Sequence, residues 1–337
     1  VGLASQYLLD KKTVMSKSKI PDKVLTDTMR ALKSPIKVAK ELNLGERQVY
    51  KRLADIEKRT GESFKVDSAS VQKREQYQPE YDSLELTIKD SVMVMYSDAH
   101  FWPGLDSCAN RALLKLLPEL RPNYVWDLGD SLDAASVSRH PPTGWTDMPK
   151  LAVELEAMLM AKRKIKAVSQ GATHAMIHSN HAARFDKYFA MNASEAKGIR
   201  GTRLRDHIEE PIYLRVIING HTLLIHGMRY GIHAQYNNVQ MAHISTISGH
   251  LHSQQYRPRT TLSKVNGGTN TIYGVDVGTL ASVDGPQFDY RQGTPSDWRS
   301  GFAVITFKDG ILMPPEFCTV ISEDKELVFF RGKAVTL

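Results

Sequence analysis

The sequence predicts an α/β protein in which two packed β-sheets are flanked by helices, preceded by a small all-α unit. Three observations predict it. From about residue 84 onward, short apolar runs alternate with helical stretches and then give way to strands. Residues 22 to 59 instead repeat their apolar positions every three or four residues, the helical period. Between them, residues 65–83 are polar and poor in apolar side chains, which reads as a linker. The division is therefore 1–64, 65–83 and 84–337.

Composition narrows the class. Apolar residues make up 42% and charged residues 24%, the balance of an ordinary globular chain. No apolar run approaches the roughly 18 residues of a membrane span, so no membrane association is expected. Val1-Gly-Leu-Ala-Ser5 lacks the layout of a secretory signal, and nothing around Cys108 and Cys318 suggests a bridge. A reducing, cytoplasmic setting is the expectation. The net charge of +7 is concentrated at the front, where residues 1–80 hold 17 Lys/Arg against 11 Asp/Glu. Such a surplus points to a polyanionic partner, or to a merely solvated basic surface.

Residues 1–20 carry Lys11, Lys12, Lys17 and Lys19 without sustained period and read as loosely ordered. A first helix follows from Asp22, with Val24, Leu25, Met29 and Leu32 as its stripe. Ser34-Pro35 opens a second helix, since Ser caps the free amides and Pro suits the first turn. Asn43-Leu-Gly45 makes a tight turn, and a third helix runs from Glu46 to about Arg59. Ala39, the turn and Val49 are spaced as in a helix-turn-helix. That arrangement would present Arg47, Gln48, Lys51 and Arg52 to a DNA major groove. The alternative is a three-helix scaffold for protein contact.

In the back end, Leu84–Ile88 and Val92–Tyr96 read as strands, and Leu105 to about Leu117 as a helix stopped by Pro118. Tyr124–Trp126 and Ala175–Ile177 are further strands, separated by a helix from Met148 to about Val168. Asn219-Gly220 marks a hairpin between Leu214–Ile218 and Thr222–Ile225. His243–Ser248 reads as a strand. Hairpin turns are also expected at Asn266–Asn270 and at Asp309-Gly310. Tyr124 and Trp126 share a strand face and read as packing.

The strand over Val92–Tyr96 ends at Asp98-Ala-His100. Side chains two apart on a strand point the same way, and a carboxylate beside an imidazole suits a divalent metal. Later strand ends offer Gly129-Asp-Ser-Leu-Asp133, Ser179-Asn-His-Ala182, His226-Gly227 and Gly249-His-Leu-His252. This ordered set, over about residues 90–285, resembles the calcineurin-like metallophosphoesterase family. Its pattern is Asp-x-His, Gly-Asp-x-x-Asp/Asn, Gly-Asn-His-Asp/Glu, a lone His, then Gly-His-x-His. Ser179 replaces the usual Gly and Ala182 the usual acid, which removes a supporting group but no metal ligand.

The resemblance implies that Asp98, His100 and His252 hold one metal ion. Asn180, His226 and His250 would hold a second, with Asp130 bridging. Mixed oxygen and nitrogen donors suit Mn²⁺, Fe or Zn²⁺, with Mn²⁺ taken first. His181 is then the catalytic group beside the leaving oxygen, and Asp133 fixes its tautomer. A hydroxide held between the metals would attack phosphorus in line. Arg139, His140 and Arg184 follow these blocks and are candidates to hold the substrate phosphate.

The basic front end favours DNA as substrate, making the chain a metal-dependent DNA phosphodiesterase. Two alternatives stay open. One is a phosphomonoesterase or protein phosphatase with a helical interaction module. The other is a catalytically weak DNA-binding regulator.

Overall fold

The computed structural model describes residues 20–62, 64, 81–139, 148–262, 268–291 and 296–337. The predicted N-terminal tail and nearly all of the predicted linker lie outside them; Ser83 opens a strand. By contacts the chain divides into two compact units, 1–76 and 77–337.

The described residues of the first unit form three helices, α1 (Asp22–Leu32), α2 (Pro35–Glu41) and α3 (Glu46–Thr60). Ser34 accepts the Lys37 amide at 3.4 Å and Pro35 fills the first turn of α2. Asn43 takes the left-handed backbone its turn needs, with φ 49°. Leu25, Met29, Val38, Ala39, Val49, Leu53 and Ile56 close a core. Each stands on the apolar stripe read from the sequence.

The second unit contains, in order, β1 (Ser83–Leu86), β2 (Ser91–Tyr96), α4 (Cys108–Leu120), β3 (Tyr124–Asp127), α5 (Leu151–Val168) and β4 (Thr173–Ile177). There follow α6 (Ala182–Asn192), β5 (Ile212–Tyr213), β6 (Arg215–Ile218), β7 (Thr222–Leu224), α7 (Ala234–Ala242) and β8 (Ser245–Ser248). Strands complete it: β9 (Gln254–Leu262), β10 (Thr269–Val277), β11 (Gly301–Lys308), β12 (Ile311–Leu312), β13 (Glu316–Ser322), β14 (Leu327–Phe330) and β15 (Lys333–Thr336). They form a six-stranded sheet, β1-β6-β7-β8-β10-β9, and a nine-stranded sheet, β15-β14-β13-β11-β2-β3-β4-β5 with β12 beside β11.

The alternation of β2 explains the layering. Met93 and Met95 join Trp126, Ile177, Val216, Leu224, Ile247 and Val275 in one apolar cluster drawn from both sheets. Val94 and Tyr96 point the other way, into a cluster with Leu113 and Leu117 of α4, Met158 and Ile165 of α5 and Phe185 of α6. A sheet buried on both faces needs continuous apolar strands, which is how β2 reads.

Several expected boundaries move. The first of these helices starts at Cys108, where Ser107 accepts the Asn110 amide at 3.1 Å, and leaves Leu105 exposed. Pro118 lies inside its last turn and does not end it; the stop is Arg121, whose left-handed backbone returns an amide to Leu117. α5 begins at Leu151, three residues after the expected Met148. β8 begins at Ser245, because His243 is the left-handed cap of α7.

At the Asn219-Gly220 turn, φ is 53° and 69°. Asn219 also ties three loops together. Its amide oxygen accepts from the Ile88 amide at 2.7 Å, and its nitrogen donates to the carbonyls of Ile88 (2.7 Å) and Gly310 (2.9 Å). Asn219→Ala should therefore cost about 2–4 kcal/mol, from three lost bonds and a left-handed alanine. Asn219→Gly should cost less, because glycine accepts that backbone. Urea unfolding followed by tryptophan fluorescence measures the difference, since all four tryptophans lie in the second unit.

Candidate metal centre

Each metal-ligand candidate sits just beyond the carboxyl end of a strand or at the helix entry that follows it. Asp98 and His100 lie past β2, Asp130 past β3, Asn180 and His181 past β4, His226 past β7, and His250 and His252 past β8. Two backbone segments bring the first three together. The amides of Asp98, His100 and Phe101 donate to the carbonyls of Gly129, Asp130 and Ser131 at 2.8 to 3.0 Å. Asp98 and His100 do not converge by strand alternation, as the sequence suggested. Both have left the strand with left-handed backbone, φ 52° and 38°, and so have Asp130, His250 and His252. Non-glycine residues held in this region cluster where function over-determines local geometry.

Glycines make the close approaches possible. Gly129 has φ 108°, and a Cβ there would stand 2.6 Å from Ser179 Cβ and 2.8 Å from His226 Nδ1. A Cβ on Gly249 would fall on the Ser97 hydroxyl and within 2.5 Å of Asp98 Oδ2. The Asp98 carboxylate can therefore accept the His250 amide at 2.7 Å.

Three groups of donor atoms result, each with all its atoms within 4.8 Å of one another: Asp98, His100 and His252; Asp130, His226 and His250; and His100, Asp133 and His181. His226 donates from Nδ1 to the Leu128 carbonyl at 2.8 Å, which leaves Nε2 to face Asp130 Oδ2 at 3.0 Å and His250 Nδ1 at 3.2 Å. A histidine oriented by a carbonyl, with its other nitrogen aimed at a carboxylate and a second imidazole, is the arrangement metal sites use. Asn180 is exposed on the turn before α6. It lines a cleft of about 260 Å³ together with His178, His226, Tyr230 and His250.

The buried atoms fit a cation. Both ring nitrogens of His100, Nδ1 of His252 and Oδ1 of Asp98 are buried without an aligned hydrogen bond, although His100 Nδ1 lies 3.4 Å from Asp133 Oδ1. Asp98 Oδ1 lies 3.1 Å from His252 Nε2, but the pair makes no aligned hydrogen bond. Unpaired buried polar atoms are costly, and a divalent ion would satisfy them. The electrostatics agree. Burial works against the charge of Asp98, yet the rings of His252 and His226 hold its carboxyl far below the usual range. Burial likewise opposes protonation of His226, but Asp130 pushes its pKa up to about 9. The pocket thus draws positive charge. Burial holds His100 below its ordinary value and takes His250 down to about 4. The structure brings together residues that could hold a metal ion.

His181 and Asp133 stand beside this cluster. His181 Nδ1 lies 2.5 Å from Asp133 Oδ1, and its Nε2 lies 3.8 Å from Asp130 Oδ2. Burial disfavours its proton, but the charges of Asp130 and Asp133 outweigh that and raise its pKa. Arg184, expected to hold substrate, is instead engaged within the protein. One turn beyond His181 on α6, it donates through Nη1 to the Asp133 carbonyl and carboxylate at 2.9 and 3.0 Å, and through Nη2 to His181 Nε2 at 3.0 Å. A buried carboxylate attracts a nearby guanidinium more strongly than open solvent does. Arg139 is exposed after a short 3₁₀ turn, and His140 lies outside the described residues.

Supporting groups that motif reading missed lie behind the donors. Ser179 Oγ accepts the amides of Asp130 (2.9 Å) and Ala182 (3.3 Å), anchoring the central carboxylate. Asp127 accepts from Gly129 at 2.8 Å, from Ser131 at 2.6 Å and from buried Lys162 at 2.7 Å; Lys162 also meets Glu210 at 2.6 Å. Glu154, buried in α5, accepts the amides of Ala134 and Ala135 just past Asp133. Burial, with Asp133 close by, pushes its pKa up to about 7. Phe288 packs against the rings of His100 and His252 (5.2 and 5.0 Å), and Trp298 against His252 (4.3 Å). Asp127 adjoins a motif and Ser179 stands within one, so both could have been found; the others carried no local signal.

In the first unit, Arg47, Gln48 and Lys51 are exposed on α3. Arg52 is not available as they are. It reaches back to Asp22 at 2.5 Å and to the Ile20 carbonyl at 2.7 Å, closing the helical unit and not facing outward.

No family model matches the chain. Over 103 residues it is 30% identical to the Gene 54 proteins of Mycobacterium phage L5 and Mycobacterium phage D29. The matched stretch is 28% of this chain and 38% of each relative, so the chain spans well under half the length of these curated relatives. No helix among the described residues is long and apolar enough to cross a membrane.

Two outcomes follow from the supporting groups. Ser179→Ala should weaken Mn²⁺ binding about 10–100-fold, the usual effect of losing a group that orients a ligand. Calorimetric titration of the metal-free protein reads this, and an unchanged affinity would show that Ser179 does not place Asp130. Lys162→Met leaves Asp127 and Glu210 buried without their cation, and should lower stability by about 3–5 kcal/mol in urea unfolding.

Proposed function

We propose that the chain is a metal-dependent phosphoesterase of the calcineurin-like kind, acting on phosphodiester bonds of DNA. The observation that carries this reading is that separate loops bring Asp98, His100 and His252 into one donor group, with unpaired buried atoms, and Asp130, His226 and His250 into another, the two joined by the His250 amide on Asp98. Asp98, His100 and His252 would hold one divalent ion; Asn180, His226 and His250 a second, with Asp130 shared. Mn²⁺ is the first choice. When bound there, such ions supply positive charge to phosphoryl oxygens and make water a better nucleophile.

The chain's own residues do the rest. Asp133 keeps the His181 proton on Nδ1 and fixes the ring, so that Nε2 faces the pocket from 3.8 Å beyond Asp130. Arg184 donates to that nitrogen in the geometry described, so a substrate phosphate that draws Arg184 away would free Nε2 to carry a proton to the leaving oxygen. Phe288 and Trp298 shield the His252 side from water and hold its ring in place. DNA is the substrate this reading favours because Arg47, Gln48 and Lys51 are exposed on a basic helical unit of the same chain. A tethered binding unit raises the local concentration of substrate.

The test is hydrolysis of DNA and of bis(p-nitrophenyl) phosphate across Mn²⁺, Fe²⁺ and Zn²⁺. Both substrates should be cleaved. His181→Ala should lower kcat about 10²–10⁴-fold, the range for loss of a proton-transfer group, and Asp130→Asn should abolish turnover. Cleavage of p-nitrophenyl phosphate alone would favour a phosphomonoesterase, and no turnover with any of these metals would remove the enzymatic reading.

A further inference from the structure

Residues 211–275 contain no Asp or Glu, in a chain that holds 37. Average frequency would put about seven there. The same stretch carries Arg215, Arg229, Arg257, Arg259 and Lys264. It builds β5 to β9, α7 and nearly all of β10, so charge of one sign belongs to one region of the fold.

The register shows where part of it faces. Gln235 of α7 donates to Asp276 at 3.3 Å, so the side of β10 that bears Asp276 is the side α7 covers. Alternation puts Gly274 and Ile272 on that side too, and Arg257 and Arg259 stand opposite them on β9. The Arg259 guanidinium lies over the ring of Tyr236, 5.3 Å from its centroid, and Tyr236 is 48% exposed. Just before α7, Tyr230 is 66% exposed; its ring lies 4.8 Å from that of His250, and it lines the cleft of Asn180 and His226.

A single exposed tyrosine is commonplace. Two near the start of one helix, the first just before it and against a metal-ligand candidate, the second in its first turn and under an arginine, with no carboxylate over residues 211–275, form a different pattern. We infer that this face is a track for single-stranded nucleic acid leading to the candidate metal centre; the inference rests on the phosphodiester reading above. Unpaired bases stack on exposed rings whatever their identity, and arginines neutralise the phosphates between them. A duplex hides its base faces, so the rings discriminate against it.

The experiment measures fluorescence anisotropy of a labelled single strand of about 20 nucleotides, and of the same sequence as duplex, in chelator. All variants are made in full-length chain carrying Arg47→Ala and Lys51→Ala, so that α3 does not contribute. Tyr230→Ala and Tyr236→Ala should each raise the single-strand Kd roughly tenfold, and the two Tyr→Phe variants should stay within about twofold of the parent. Arg259→Gln should reduce the slope of log Kd against log salt by about 0.7. The duplex should bind more weakly and respond less. Variants that bind like the parent, or a duplex that binds as tightly and weakens as much, would overturn the track. Binding is read without turnover. A chain that shows this pattern but cleaves no diester sinks only the enzymatic reading, and one that cleaves DNA without the pattern sinks only the track.

Discussion

Two carboxylates, Asp98 and Asp130, are buried side by side at the strand ends, and the local structure is arranged around that fact. Each charge opposes the other, and burial opposes both. Such a pair persists only if positive charge or many donors compensate it. The chain supplies His226 and His252 against the carboxylates and the backbone amides of His181 and His250 at 3.0 and 2.7 Å. A purely structural ion-pair cluster would also pair every ring nitrogen. His100 Nε2 and His252 Nδ1 break that rule, and His100 Nδ1 meets Asp133 Oδ1 only at 3.4 Å without an aligned hydrogen bond. Such atoms could be satisfied by a bound cation.

Holding five non-glycine residues at positive φ costs on the order of 1–3 kcal/mol each. The two-sheet core is what bears it. Asp98 follows directly on β2, whose Met93 and Met95 are clamped in the inter-sheet cluster while Val94 and Tyr96 are clamped under the helices. Asp130 follows β3, where Asp127 is tied to buried Lys162 and to the amide of Gly129. The loops have little freedom left once the strands are fixed, so strain is confined to them and the donor atoms arrive in place.

Much of this was legible in the sequence because it follows a local rule. An apolar run that stops at a polar pair marks a strand end whatever lies beyond, and five such ends in order carried the resemblance that implied the candidate donors. Asn219-Gly220 and Asp309-Gly310 were readable because left-handed backbone selects those residues. What escaped reading depends on distant partners or on weak patterns. Arg184 meets an acid 51 positions away and Arg52 one 30 positions away, and neither partner can be seen from the local window. α7 buries Gln235 and Asn238 alongside Ala234 and Val239, so it offers no apolar stripe to recognise. β13 to β15, at one end of the nine-stranded sheet, are half-exposed, and their burial is too mixed for a clean alternation.

The two positions where the chain departs from the pattern it resembles are best understood together. An acid at position 182 would stand at the entry of α6, near His181, where Ala182 is now buried and donates its amide to Ser179. The same Ser179 oxygen takes the Asp130 amide, so the hydroxyl that replaces a glycine hydrogen joins the helix entry to the central carboxylate. With no acid at 182, the carboxylate left to orient the His181 ring is Asp133, which is steadied in turn by Arg184 and by the amides that Glu154 holds just beyond it. Support that one acidic side chain would give from within the motif is here distributed over Ser179, Arg184 and Glu154. The donor geometry can therefore survive both substitutions, but it becomes sensitive to residues that no motif contains.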